Sequence, residues 1–101
     1  MVQAVDNLTR ISGKILARRP HASLDGYDVA TVTLERADLV AGKADLFSSL
    51  VGHDVEVTIR RDLLKTASPG ARLRCRVKRT PDGAMCESHP IGTDFEIGEG
   101  P

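Results

Sequence analysis

Alternation of apolar and polar residues marks four segments of the chain as β-strands. Residues 9–18, 27–36, 53–60 and 71–79 repeat apolar side chains at every second position, which places those side chains on one face of a strand. The residues predicted to face the core are Ile11, Gly13, Ile15 and Ala17 in the first strand, Ala30, Val32 and Leu34 in the second, Val55, Val57 and Ile59 in the third, and Leu73, Cys75 and Val77 in the fourth.

The segments between these strands carry turn and helix signals. A glycine within the first strand, Gly13, predicts a bulge or a sharp bend. The period changes over residues 42–52, where a short helix of two to three turns is predicted to end at Gly52. The apolar stripe of this predicted helix consists of Leu46, Phe47, Leu50 and Val51. Residues 61–70 predict a connection with one helical turn.

The fourth strand is followed by "TPDG", residues 80–83, a strong turn signal that predicts a closing hairpin. An even-length loop would place Arg76 opposite Glu87 and turn Ala84, Cys86 and Ser88 inward.

We expect residues 1–90 to form a single β-barrel domain. Residues 91–101 are acidic and rich in glycine, which predicts a flexible C-terminal tail in which only Phe95 and Ile97 could dock.

Short strands bounded by turns, with one short helix between them, predict a mostly β fold that closes into a small barrel. The stretch "GHDVEVTIR…SPGARLRCRVKRTPDGAMCES", with the glycine-broken first strand, resembles the small OB-type barrels of cold-shock and TRAM-like proteins over roughly a third of the chain. The resemblance implies an OB-like β-barrel. The alternative is a β-grasp-like α+β fold, whose helix is normally longer than the one predicted here.

Length and composition exclude several classes of protein. A chain of 101 residues has room for a single core, and no apolar run approaches the roughly 18 residues of a membrane span. The start of the sequence, "MVQAVDNLTR", lacks the pattern of a signal peptide, and two cysteines are too few for a secreted disulfide scaffold. We expect a cytoplasmic protein without a membrane partner, in an oligomeric state that the sequence does not determine.

No motif of a known catalytic or cofactor site occurs in the chain, so we expect a protein without enzymatic activity or cofactor. Cys75, Cys86 and His89 could supply three zinc ligands. Structural zinc sites normally use four ligands in short paired spacings, however, and both cysteines fall on predicted inward positions. We therefore expect free core thiols and no metal.

Charge is the one feature that points to a partner. The net charge is zero, but residues 1–19 and 53–79 are basic, whereas residues 20–52 and 80–101 are acidic. Cations recur at every second position of the fourth strand, about 6.6–6.8 Å apart, which is close to the spacing of phosphates along an extended single strand. This row consists of Arg72, Arg74, Arg76 and Lys78, with Arg10, Lys14, Arg18 and Arg60 as supporting cations and Tyr27 as a stacking platform.

The sequence thus predicts a non-catalytic accessory protein that binds single-stranded DNA or RNA through its phosphate backbone. Only three aromatic residues are present, so binding would be mainly electrostatic and sensitive to salt. The alternative function is a protein-interaction module that binds an acidic partner or pairs through an edge strand. Two further interpretations remain open: an enzyme subunit without a complete active site, and a solvated face neutralised by Glu87 and Glu56.

Overall fold

Six strands and two short helical turns make up the protein, seen here in a computed structural model that describes residues 7–81, 83–92 and 94–98. Each strand predicted from alternation is present. In chain order, the elements are β1 (Thr9–Pro20), β2 (Tyr27–Leu39), a 3₁₀ turn (Ser48–Leu50), β3 (Asp54–Arg60), α1 (Arg61–Leu64), β4 (Arg72–Thr80), β5 (Gly83–Cys86) and β6 (Phe95–Gly98).

Five of the strands close into a barrel. They pair in the order β1-β2-β3-β5-β4, and β4 pairs back onto β1. The β3–β5 pairing is parallel and the other pairings are antiparallel. This closed mixed barrel is consistent with a small OB-like fold and confirms the predicted fold class. The β-grasp alternative is not formed, since it would require a longer helix packed on an open sheet.

The barrel interior is filled by the alternating apolar faces predicted from the sequence, with two differences. The register shifts between Ile15 and Ala17, so that Leu16 is an extra residue and the predicted inward Ala17 is exposed. Val55, near the start of β3, is half-buried. The largest fully buried side chains are Phe47, Ile11, Ile15, Leu34, Ile59, Leu64, Val32, Val57 and Val77.

Gly13 lies at an irregularity of the β1–β2 ladder, where the two backbones approach each other closely. The β1–β2 register shifts between Ser12 and Gly13, which confirms the predicted irregularity. A Cβ atom at Gly13 would lie 2.2 Å from the carbonyl oxygen of Thr33 and 2.7 Å from Cγ1 of Val32. Only glycine permits this approach of the two backbones, because a real Cβ is in contact with its neighbours at well over 3 Å.

The helix predicted over residues 42–52 is wrong: the segment contains only the 3₁₀ turn. The Asp45 carboxylate accepts hydrogen bonds from the backbone N–H groups of Phe47 (2.9 Å) and Ser48 (3.1 Å), and from the hydroxyl of Thr9 (3.0 Å). An aspartate side chain that binds nearby amides offers the backbone an alternative to helix. Of the four apolar residues of the predicted helical stripe, Phe47 is the only one that is fully buried.

The other predicted turns are present. Gly52 has a φ of +91°, which suits a glycine at a chain reversal. The single turn predicted between residues 61 and 70 is α1. Within the described ranges, no helix is long and apolar enough to cross a membrane.

The C-terminal segment contributes a strand beyond the predicted domain boundary at residue 90. The hairpin register, with Val77 opposite Cys86, confirms the even-length loop. The chain then returns as β6, which pairs antiparallel with residues 72–75 of β4 and places Phe95 opposite Cys75. The acidic segment predicted as a tail is therefore, over Phe95–Gly98, part of the sheet. Its residues 99–101 and Thr93 lie outside the described part.

Candidate nucleic-acid interface

The outward faces of β1 and β4 bring six of the nine predicted site residues together. The β1–β4 register places Arg10 opposite Arg76 and Lys14 opposite Arg72. All of these side chains point away from the barrel interior, because they alternate with buried apolar residues. We call this surface the basic face, and its members are Arg10, Lys14, Arg72, Arg74, Arg76 and Lys78.

Each of the four arginines of the basic face has a carboxylate partner. Glu87 binds Arg76 through both oxygens, at 2.6 and 3.0 Å, and this contact raises the pKa of the Arg76 guanidinium. Lys14 and Lys78 are exposed, and neither has a carboxylate partner among the described residues. The remaining pairs are Arg72 with Glu35, Arg74 with Glu96 (3.8 Å) and Arg10 with Asp94 (3.2 Å).

Two depressions interrupt the basic face. The larger has a volume of 670 Å³ and lies above Arg76 and Lys78, with Leu8 and Met85 among its apolar lining. The smaller, of 340 Å³, lies beside Arg72 and Arg74, where Gly13 has no side chain; its lining is completed by Ser12, Leu73, Glu96, Ile97 and Gly98. The face therefore combines cations with concave surface at both ends.

Three predicted site residues lie elsewhere. Arg18 is mostly buried and donates to the Asp28 carboxylate at 2.7 and 3.0 Å. Arg60 donates to the Ser88 carbonyl at 2.6 Å, and the Tyr27 hydroxyl lies 3.1 Å from the Ser88 hydroxyl. These contacts hold the barrel together, so the structure does not add the three residues to the basic face.

Asp28 is a buried carboxylate that the sequence reasoning missed. Burial by itself would raise the pKa of Asp28, but the hydrogen bonds and charges of Arg61 and Arg18 outweigh it, and the pKa is lowered. The network joins β1, β2 and α1. Its signal was present in the sequence, since Asp28 has the same parity as the inward-facing Ala30 and Val32.

The β2–β3 surface, which OB-folds use to bind oligonucleotides, carries two acidic side chains in the first half of β3. Thr31 lies opposite Glu56, and Thr33 lies opposite Asp54 and donates to its carboxylate at 2.8 Å. The basic face is a different surface, formed by β1 and β4.

The two cysteines lie in the core as free thiols. A hydrogen bond with the Cys86 thiol, together with burial, raises the pKa of Cys75 well above its usual value. His89 is exposed and lines the larger depression. In residues 7–81, 83–92 and 94–98, no group of three or more His, Cys, Asp or Glu side chains could hold a metal ion.

Comparison with known proteins found no relative of this chain. No family matches its sequence, and no curated protein or solved structure matches it significantly.

Proposed function

We propose that this protein is a non-catalytic accessory protein that binds the phosphate backbone of single-stranded nucleic acid through its basic face. The observation that carries the proposal is the register of β1 against β4, which sets two rows of cations side by side on one exposed surface. Phosphates along an extended strand repeat at a distance similar to that between alternate residues of a β-strand. The exposed Lys14 and Lys78 stand at opposite ends of this surface.

The carboxylates on the basic face are compatible with this function because their ion pairs are exchangeable. Exposed pairs such as Arg72–Glu35 and Arg74–Glu96 contribute about 0–1 kcal/mol each, so a phosphate could replace a carboxylate at little cost. Exchange of this kind gives weak binding with a strong dependence on salt. It also gives little preference for base sequence, which is read by contacts to the bases themselves.

The proposal is tested by the salt dependence of binding to a fluorescent oligothymidylate, followed by anisotropy. Six phosphate contacts would give a log–log slope of about −4 for a single strand. Replacing Lys14 and Lys78 by Glu removes two contacts and should make the slope shallower by about 1.4. Neither lysine has a carboxylate partner among the described residues, so the variant should keep its thermal stability.

A double variant with the same change in charge is the control. Arg19 pairs with Glu56, and Arg79 lines a depression together with Asp54 and Glu56, so both lie on the β3 side of the barrel. Arg19→Glu with Arg79→Glu should leave the slope unchanged. An equal decrease in the salt slope of both double variants would show that binding responds to net charge alone. Absence of binding at about 50 mM salt, where electrostatic binding is strong, would refute the proposed function.

One observation favours a protein-interaction module as a second candidate. Within the described residues, β6 pairs only with β4, so its other edge is open to a further strand. A partner strand could add there. Absence of binding to every oligonucleotide, combined with concentration-dependent self-association or with binding of an extended peptide to β6, would favour this function.

A further inference from the structure

Asp94 occupies the centre of the basic face. Its carboxylate lies between two arginines that are directly opposite each other on β1 and β4: Oδ1 is 3.2 Å from Nη2 of Arg10, and Oδ2 is 3.4 Å from Nη2 of Arg76. The Asp94 side chain is one-fifth exposed. An anion from the chain itself therefore lies where two cations converge.

The Asp94 carboxylate accepts hydrogen bonds from only some of the donors that Arg10 and Arg76 present here. Arg76 already donates from both Nε and Nη2 to Glu87, so its contact with Asp94 is an additional ion pair. Arg10 donates from Nη2 alone, and its buried Nε has no hydrogen-bond partner among the described residues. A buried donor without an acceptor is costly, and the same edge of an arginine normally binds an oxyanion through both nitrogens.

An anion that completes these contacts needs more oxygens than a carboxylate has. Two oxygens would accept from Nε and Nη2 of Arg10, and a third would face Arg76. A phosphate group with three free oxygens meets this requirement, whereas a phosphodiester within a strand has only two. We propose that Arg10 and Arg76 form a subsite for such a phosphate group, and that Asp94 occupies the subsite when the ligand is absent.

Asp94 is placed so that it can leave without dismantling the fold. It precedes β6, and its backbone N–H donates to the Ile91 carbonyl at 3.2 Å in a turn. Its carboxylate could turn away while Phe95–Gly98 stays paired with β4. Deleting residues 91–101 would be a poor test, because it would also remove β6 from the edge of β4.

The phosphate could be free or could end a nucleic-acid strand. Only the second source rests on the proposed function, so the experiment needs separate arms for the two. The first arm titrates inorganic phosphate into ¹⁵N-labelled protein and follows the arginine Nε–H signals. Asp94→Asn should bind phosphate about 10- to 100-fold more tightly than the wild type, because one charged competitor is lost; this change in affinity corresponds to about 1.4–2.7 kcal/mol.

The matched control is Glu56→Gln, which removes the same charge from an exposed ion pair on β3. Its phosphate affinity should match that of the wild type, and the Arg10 Nε–H signal should shift only when phosphate fills the subsite. Adding Arg10→Lys to Asp94→Asn keeps the charge but removes the two-nitrogen edge, so it should reverse the gain. Equal affinities in Asp94→Asn and Glu56→Gln, or an unmoved Arg10 signal, would overturn the subsite.

The second arm compares 5′-phosphorylated with 5′-hydroxyl oligonucleotides on Asp94→Asn. Tighter binding of the phosphorylated strand supports the subsite with a strand end as its ligand. Equal binding of both strands, with phosphate still bound at Arg10, supports the subsite with free phosphate as its ligand. If phosphate binds at Arg10 but no oligonucleotide binds at any salt concentration, the subsite is supported and the proposed nucleic-acid function is refuted.

Discussion

Substitution of Gly13 by alanine should destabilise the barrel strongly although it adds a single methyl group. The new Cβ would lie 2.2 Å from the Thr33 carbonyl oxygen, and a normal carbon–oxygen contact is about 3.3–3.6 Å. β1 and β2 would have to separate locally by about 1 Å. The obstacle is backbone within a hydrogen-bonded ladder, so it cannot move aside as a flexible side chain would.

The expected loss follows from two opposing terms. Overpacking of a well-filled site costs about 1–3 kcal/mol, and a rigid obstacle places Gly13 at the upper end. Alanine also restricts the unfolded chain, which returns about 0.4–1 kcal/mol. The net loss should be about 2–2.6 kcal/mol, which lowers the melting temperature of a domain of this size by about 8–21 °C.

Urea denaturation of Gly13→Ala beside Gly98→Ala measures the effect. Gly98 is also in a strand and has a permitted φ, but a Cβ there would meet nothing within 4 Å. That variant should stay within about 0.5 kcal/mol of the wild type or gain slightly. A loss below about 0.5 kcal/mol for Gly13→Ala would show that the two strands do not approach each other as described.

Three further predictions concern the interior. The pKa of Asp28 is lowered, so its stabilising contribution is present near pH 7 and is lost as the pH falls through the folded-state pKa. Asp28→Asn should cost about 2–4 kcal/mol near pH 7 and should weaken the fall in the free energy of unfolding at acidic pH. An unchanged acid dependence of stability would contradict the network. Val57→Ala and Leu73→Ala should each cost about 1–4 kcal/mol in urea, and a loss below about 0.5 kcal/mol would contradict their burial. Cys75 and Cys86 should resist alkylation until the protein unfolds, and reductant or chelator should leave the melting temperature unchanged; rapid labelling of the native protein would argue against buried thiols.

Local pattern was sufficient to predict β1 to β5 but not β6, because the side chains of β1 to β4 alternate between core and solvent and a turn signal marks the hairpin to β5. Val32, Val57 and Leu73 are buried where alternation placed them. The same reasoning failed for residues 42–52, where apolar spacing suggested a helix but the Asp45 side chain binds the backbone amides that a helix would use. Competition by one polar side chain is invisible to a count of apolar positions.

The basic face was predictable only in part. Alternation showed that Arg72, Arg74, Arg76 and Lys78 share one face of one strand. It could not show that Arg10 and Lys14 lie beside them, because the β1–β4 pairing joins residues more than 50 positions apart. The contact between Arg76 and Glu87 was predictable from the sequence, because the short loop of the β4–β5 hairpin fixes the register of its strands.

The carboxylates of the basic face have a structural reason as well as a functional one. Closing the barrel places β1 beside β4 and so sets Arg10 directly opposite Arg76, an arrangement of like charges that destabilises a sheet. Glu87 and Asp94 offset that repulsion. The contacts are unequal, however: Glu87 accepts from both nitrogens of the Arg76 edge, whereas the Arg10 Nε has no partner in the part of the chain that the structure describes. A carboxylate needed only for stability could bind Arg10 in the same two-nitrogen way, so the incomplete contact is the feature that distinguishes an exchangeable anion from a fixed one.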